Sequence, residues 1–229
     1  IVPAPPLCCG RPLYDYGMLD TAKRFWRRML DELAPQIRAG IPVVGIEPSC
    51  VAAFREELPG LMPHDEDAKR LSLQALTLAE LLQRHAPEWE APRLEAKALV
   101  HGHCHQEAIM GMSAERELYE RIGLDFELLD SGCCGLAGSF GFEAEHDDIS
   151  RQIGEQRLMP AVRGAAESTL LIADGFSCKT QIETMTERRA MHTAQVLELA
   201  LLREREGRGA APLGPRPEHG FPDLVLDGN

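Results

Sequence analysis

Residues Ser131–Glu143 read SGCCGLAGSFGFE, with two adjacent cysteines, Cys133 and Cys134, ahead of a run of glycines. A related stretch, LCCGRPLYDYG, occupies Leu7–Gly17 and carries Cys8 and Cys9. Gly10 and Gly135, the glycines that close the two pairs, lie 125 positions apart. Lone cysteines then recur in step: 40 residues intervene between Cys9 and Cys50, and 43 between Cys134 and Cys178. The order strand, Cys-Cys-Gly, helix, strand, single cysteine, helix thus occurs twice. It predicts a duplicated α/β protein with short parallel strands and crossover helices.

The segments around these motifs carry the expected periodicities. In MLDTAKRFWRRMLDELAPQIRAG, apolar residues at Ala22, Phe25, Met29, Leu33 and Ile37 predict a helix ending near Gly40. IPVVGIE reads as a short buried strand that ends at Cys50, followed by helices over VAAFREEL and DAKRLSLQALTLAELLQRH. The strands KALVHGHCHQ, LDFELLDSG and STLLIADG deliver Cys104, the Cys133–Cys134 pair and Cys178. HDDISRQIGEQRLMPAV reads as one helix, and another follows Cys178. This gives a first repeat over 1–85, a Pro- and Glu-rich linker over 86–96, a second repeat over 97–204 and a disordered, Gly/Pro-rich tail over 205–229. The second repeat has a strand–Cys104–helix segment ahead of its pair, and the first lacks one. The N-terminal unit is therefore expected to be truncated and the chain to be a fragment; IVPAPP, before Leu7, reads as the end of a strand.

With 229 residues the chain can bury a sizeable core, and its net charge of −12 argues against nucleic acid or anionic lipid as a partner. No segment has the length and apolar character of a membrane span, and no signal peptide is visible. Seven cysteines, an odd number with no sign of secretion, favour metal binding or redox chemistry over a disulfide framework. The expected location is the cytosol, or the cytosolic side of a larger complex.

In an open parallel sheet, functional side chains gather outside the carboxyl ends of the strands. Cys50, Cys104, Cys133, Cys134 and Cys178 each follow a predicted strand, where the next helix N-terminus favours thiolates. Neighbouring side chains of a Cys-Cys pair diverge, which suits a polynuclear centre better than one small ion. Gly135, Gly138 and Gly141 allow tight turns and bring N–H groups close to cluster sulfides; their spacing does not match a dinucleotide fingerprint. Two other readings stand beside this one. Single buried cysteines are common core residues, and zinc can take thiolates, although neither copy has the C-x-x-C pairs of zinc ribbons. His101, His103 and His105 alternate around Cys104 and would share one side of a continued strand. They read either as ordinary polar residues or, for His103 or His105, as a donor to a cluster sulfur or a metal ligand. Arg11, Tyr14 and Tyr16 read as packing and capping residues.

CCGRPLYDYGMLD, GIEPSC, HGHCHQ, DSGCCGLAGSFGFE and DGFSCKTQI resemble the cysteine-rich CCG domain family over about residues 1–204. The likeness extends to the heterodisulfide reductase B subunit, the glycolate oxidase iron–sulfur subunit, lactate-utilisation proteins and the C subunit of anaerobic glycerol-3-phosphate dehydrogenase. It is strongest to the C-terminal region of FAD-linked oxidases similar to D-lactate and D-2-hydroxyglutarate dehydrogenases. The resemblance implies a [4Fe–4S] cluster on Cys104, Cys133, Cys134 and Cys178, with Gln181 where a fifth cysteine would stand. Cys8, Cys9 and Cys50, with Ala53 at the last cysteine position, would hold zinc, an incomplete cluster or nothing. The implied function is an electron-transfer module of a flavin-dependent 2-hydroxyacid dehydrogenase. FAD would sit on a missing domain or a partner flavoprotein, ferredoxin-like clusters would precede this module, and a quinone or cytochrome would accept the electrons. The alternatives are a cluster-based thiol–disulfide reductase component and a zinc-bearing or metal-free docking scaffold.

Overall fold

The computed structural model describes residues 7–220, and the strand end read at the start of the chain lies outside them. The fold is α/β and forms two compact units: residues 7–89 with 103–115, and residues 90–102 with 116–220.

The first unit begins with a short helix α1 (Arg11–Asp15) and a long one, α2 (Leu19–Arg38). A two-residue strand β1 (Val43–Val44) leads through Glu47 into α3 (Pro48–Ala52), whose helix continues as a π-helical turn at Ala53–Glu57 and as α4 (Leu58–Leu61). The buried face of α2 carries Ala22, Trp26, Met29, Leu30 and Ile37. Phe25, expected on that face, is exposed and Trp26 replaces it, because the indole Nε1–H donates to the Cys9 carbonyl. These residues pack with Cys9, Val51, Phe54, Leu58, Met62 and Leu71 into one core.

Periodicity over DAKRLSLQALTLAELLQRH predicts one helix, but the chain forms α5 (Glu66–Gln74), a strand β2 (Ala75–Leu76) and α6 (Leu78–His85). Thr77 causes the break. Its extended backbone (ψ 167°) starts a new helix, and its hydroxyl and Glu80 cap each other's backbone N–H in a reciprocal capping box. The two residues freed between the helices pair in parallel with β1, Val43 opposite Ala75 and Val44 opposite Leu76. A π-helical turn at Gln106–Met110 also belongs to this unit.

The second unit holds a three-stranded parallel sheet in the order β4-β3-β5. The strands are β3 (Ala96–Val100), β4 (Leu124–Leu128) and β5 (Leu170–Ile172), with Val100 level with both Leu128 and Ile172. Helix α7 (Ser113–Ile122) is the β3–β4 crossover; α8 (Asp147–Gln156) and α9 (Leu158–Gly164) cross from β4 to β5. The single helix expected over 146–162 is thus two, with Arg157 outside helical geometry (φ −145°) three residues before Pro160. After β5 come α10 (Phe176–Met185) and α11 (Thr193–Arg205). Leu99, Leu136, Leu158, Met159, Val162, Leu171 and Ile182 form the core, together with Cys134 and Cys178.

Residues 206–220 differ from the disordered tail that their composition predicts. Gly209 accepts from the Glu95 N–H, Arg203 reaches the carbonyls of Ala211 and Pro212, and Glu218 makes a buried ion pair with Arg188 at 2.6 Å. The final residues, 221–229, lie outside the described ones.

Candidate metal sites

Both Cys-Cys-Gly turns are built alike. In the first, the Gly10 N–H points to the Cys8 sulfur at 3.4 Å and the Arg11 N–H donates to Cys9. In the second, the Gly135 N–H points to the Cys133 sulfur at 3.3 Å and the Leu136 N–H donates to Cys134. Each thiol therefore meets the amide two residues on, which is the arrangement that stabilises negative sulfur. In both pairs the second cysteine is buried in the core and the first is more open.

The turns require glycine for two reasons. Gly10 and Gly135 have φ of 74° and 104°, in the left-handed region. A Cβ at Gly10 would also come within 2.8 Å of the Trp26 indole, and one at Gly135 within 2.1 Å of the Ser150 carbonyl oxygen on α8. A Cβ at Gly141 would come within 2.4 Å of the Ser150 hydroxyl oxygen and 2.8 Å of the Leu136 side chain, so the second glycine loop is seated directly on α8. Gly138 has φ 69°, and its neighbour Ala137 has φ 46°, which is unusual for a residue with a side chain.

In the first unit Cys50, at the N-terminal end of α3, donates its S–H to the Cys9 sulfur at 2.8 Å. That bond, reinforced by the Arg11 N–H, lowers Cys9 to about 7 in spite of its burial. The same contact holds the proton on Cys50 and pushes its thiol up, as do burial and the nearby Glu47 carboxylate. Above about pH 7 the pair thus holds one negative charge, and a bound cation would remove the remaining proton.

Sequence grouping puts Cys104 with the second pair; in the structure, the segment 103–115 falls within the first unit. His103, Cys104 and His105 bring three potential ligand atoms within 4.8 Å of one another. The helical turn that starts at Cys104 replaces the continued strand, so the three histidines do not share a strand face. The ring partners of His103 and His105 assign their tautomers. His105 Nε2 lies 2.5 Å from Arg11 Nη2, and a guanidinium only donates, so Nε2 accepts and Nδ1 carries the proton, 3.8 Å from the Cys104 sulfur. His103 Nδ1 accepts the His105 backbone N–H, which places its proton on Nε2, 3.8 Å from Glu47. Both lone pairs are therefore engaged, and His105 is arranged to donate to Cys104 rather than to bind metal itself. Arg11, read as a packing residue, also pairs with Glu57 and Asp15.

In the second unit Cys133, Cys134 and Cys178 come together, 43 residues of chain separating the last two. Cys134 hydrogen-bonds to both neighbours; these contacts, with burial, push its thiol well up. Three crowded sulfurs with inward-aimed amides fit a soft metal or an iron–sulfur cluster, which replaces the shared proton by positive charge. Gln181 does not join them. Its amide is buried and donates to the Ser150 hydroxyl at 3.0 Å and carbonyl at 3.3 Å. It thus ties α10 to the helix on which the glycine loop rests.

Residues 98–183 match the cysteine-rich domain (CCG) family. The chain is 32% identical over 201 residues to the C subunit of anaerobic glycerol-3-phosphate dehydrogenase of Escherichia coli (strain K12), covering 85% of this chain and 49% of that protein. It is 29% identical to D-2-hydroxyglutarate dehydrogenase of Pseudomonas putida, covering 85% of this chain and 19% of the relative. Lactate utilization protein A of Bacillus subtilis (strain 168) is 28% identical, with 85% and 84% covered. The chain thus spans about half of the first of these relatives and about a fifth of the second.

Proposed function

We propose that this chain, whose residues 98–183 belong to the cysteine-rich CCG domain family, is an iron–sulfur electron-transfer module of an oxidoreductase. The observation that carries this reading is the repeated thiol turn, two copies with the same amide-to-sulfur contacts, each joined by a lone cysteine from a later helix. Cys133, Cys134 and Cys178 would hold a cluster, of the [4Fe–4S] type by the family resemblance, and Cys8, Cys9, Cys50 and Cys104 would serve a metal in the first unit. A bound cluster supplies one-electron transfer. The chain's own groups set its potential through burial, N–H to sulfur bonds and net charge.

The three relatives are named for dehydrogenation of glycerol 3-phosphate, dehydrogenation of D-2-hydroxyglutarate and lactate utilization. These support a finer reading, in which a flavin on another domain or subunit oxidises a 2-hydroxyacid and this module passes the electrons towards a quinone or cytochrome. No helix among the described residues is long and apolar enough to cross a membrane. Thiol–disulfide reduction has less support, because Gln181 is turned to Ser150 at the position of the additional cysteine.

Anaerobic purification with iron, sulfide and zinc analysis tests the reading. Iron and acid-labile sulfide in near-equal amounts, with the second-unit share lost in Cys178→Ser, is the expected result. Stoichiometric zinc without iron would defeat it.

A further inference from the structure

His101 is the one member of the His101-His103-His105 trio that the second unit retains. It follows β3 directly, on the central strand, and its backbone N–H donates to Ile172 at 2.8 Å. Its neighbours on either side are the strands whose loops deliver Cys133 and Cys134 from β4 and Cys178 from β5. The side chain is 3% exposed. Nδ1 sits 2.7 Å from the hydroxyl of Ser131, two residues before Cys133. Nε2 is buried with no hydrogen-bond partner among the described residues. A buried imidazole nitrogen without a partner is costly, so this atom points to a ligand acceptor.

We propose that His101 is a positioning and tuning residue for the second-unit cluster: Ser131 donates to Nδ1, and the Nε2–H that this leaves donates to a cluster or thiolate sulfur. The inference rests on the iron–sulfur reading above and deepens it. Ser131 fixes the tautomer, as the outer partner of an imidazole does at metal sites. An N–H to sulfur bond stabilises the more negative, reduced cluster and so raises its potential.

The test is a redox titration of the full chain, purified anaerobically and followed by EPR, for wild type, His101→Phe, His101→Gln and Ser131→Ala. His101→Phe lowers the midpoint potential at unchanged iron and sulfide content and abolishes a weak imidazole nitrogen coupling in pulsed EPR. His101→Gln, which keeps an N–H, recovers part of the potential. Ser131→Ala shifts the potential in the same direction as His101→Phe and by less, and it decides the matter if His101→Phe does not fold. An iron-loaded chain whose potential is indifferent to these substitutions overturns the inference alone. A strong coupling from directly bonded nitrogen also overturns it, since the imidazole would then be a ligand. A wild-type chain without iron overturns the electron-transfer reading and this inference with it.

Discussion

Cys9 and Cys50 show how one contact sets two thiols apart. The S–H of Cys50 makes Cys9 the acid of the pair, at about 7 against an ordinary 9.0. Because folding lowers that value, the associated stabilisation is present above the ordinary thiol range and disappears as pH falls through about 7. In metal-free protein, a thiolate absorbance titration should show Cys9 ionising near pH 7, and Cys50→Ala should move that step upward. An unmoved midpoint would mean that the helix end and the amides, not Cys50, stabilise the thiolate. The grouping of Cys9 with Cys50, and of Cys133 and Cys134 with Cys178, was legible from spacing, since adjacent cysteines followed by glycine recur with matched lone partners; that of Cys104 was not. The protonation of their neighbours was not. His103, His105 and His101 are equivalent in sequence and differ in what their ring nitrogens meet among the described residues: Glu47 and a backbone amide, Arg11 and Cys104, or Ser131.

Among the elements, strands β3, β4 and β5 were readable because β5 is a short apolar run, β3 is apolar apart from Lys97 and β4 alternates apolar and acidic residues, each ahead of a cysteine-bearing turn. β2 was not, since two residues cannot display a period and the flanking apolar spacing mimics one long helix. The available signal was T-x-x-E at Thr77–Glu80, the composition of a capping box. Thr77 is also buried and donates to Glu115 at 2.8 Å, so its hydroxyl does two jobs. Thr77→Ala should lower stability by about 1–2 kcal/mol in urea unfolding, while Thr77→Ser, which keeps the oxygen, should lose much less. Equal losses in both would show that the methyl contact, not the cap, matters there.

At the scale of the whole molecule, composition misjudged residues 206–220. Charged and Gly/Pro-rich chain lacks apolar side chains, and it reads as disordered when a single buried ion pair can anchor it instead. Arg188 and Glu218 have side chains 8% and 2% exposed, and Arg188 also donates to the Thr169 carbonyl. Glu218→Ala leaves a buried guanidinium charge without its carboxylate and should cost about 3 kcal/mol in urea unfolding, with early exposure of residues 206–220 to protease. A loss below about 0.5 kcal/mol, in the range of a surface pair, would show that this segment is held by other contacts.

The strand order β4-β3-β5 carries a further consequence for how the second unit is made. Pairing β3 with β4 joins residues 28 apart, such as Ala96 and Leu124, whereas pairing it with β5 joins Ala98 to Leu170, 72 apart. The longer closure costs about 0.8 kcal/mol more chain entropy. It also waits for the later stretch to leave the ribosome. Cys133 and Cys134 therefore reach their sheet edge while Cys178 is still being synthesised. During that interval the nascent chain displays a thiol pair without its third sulfur, and oxidation or capture by a stray metal is then a hazard of synthesis.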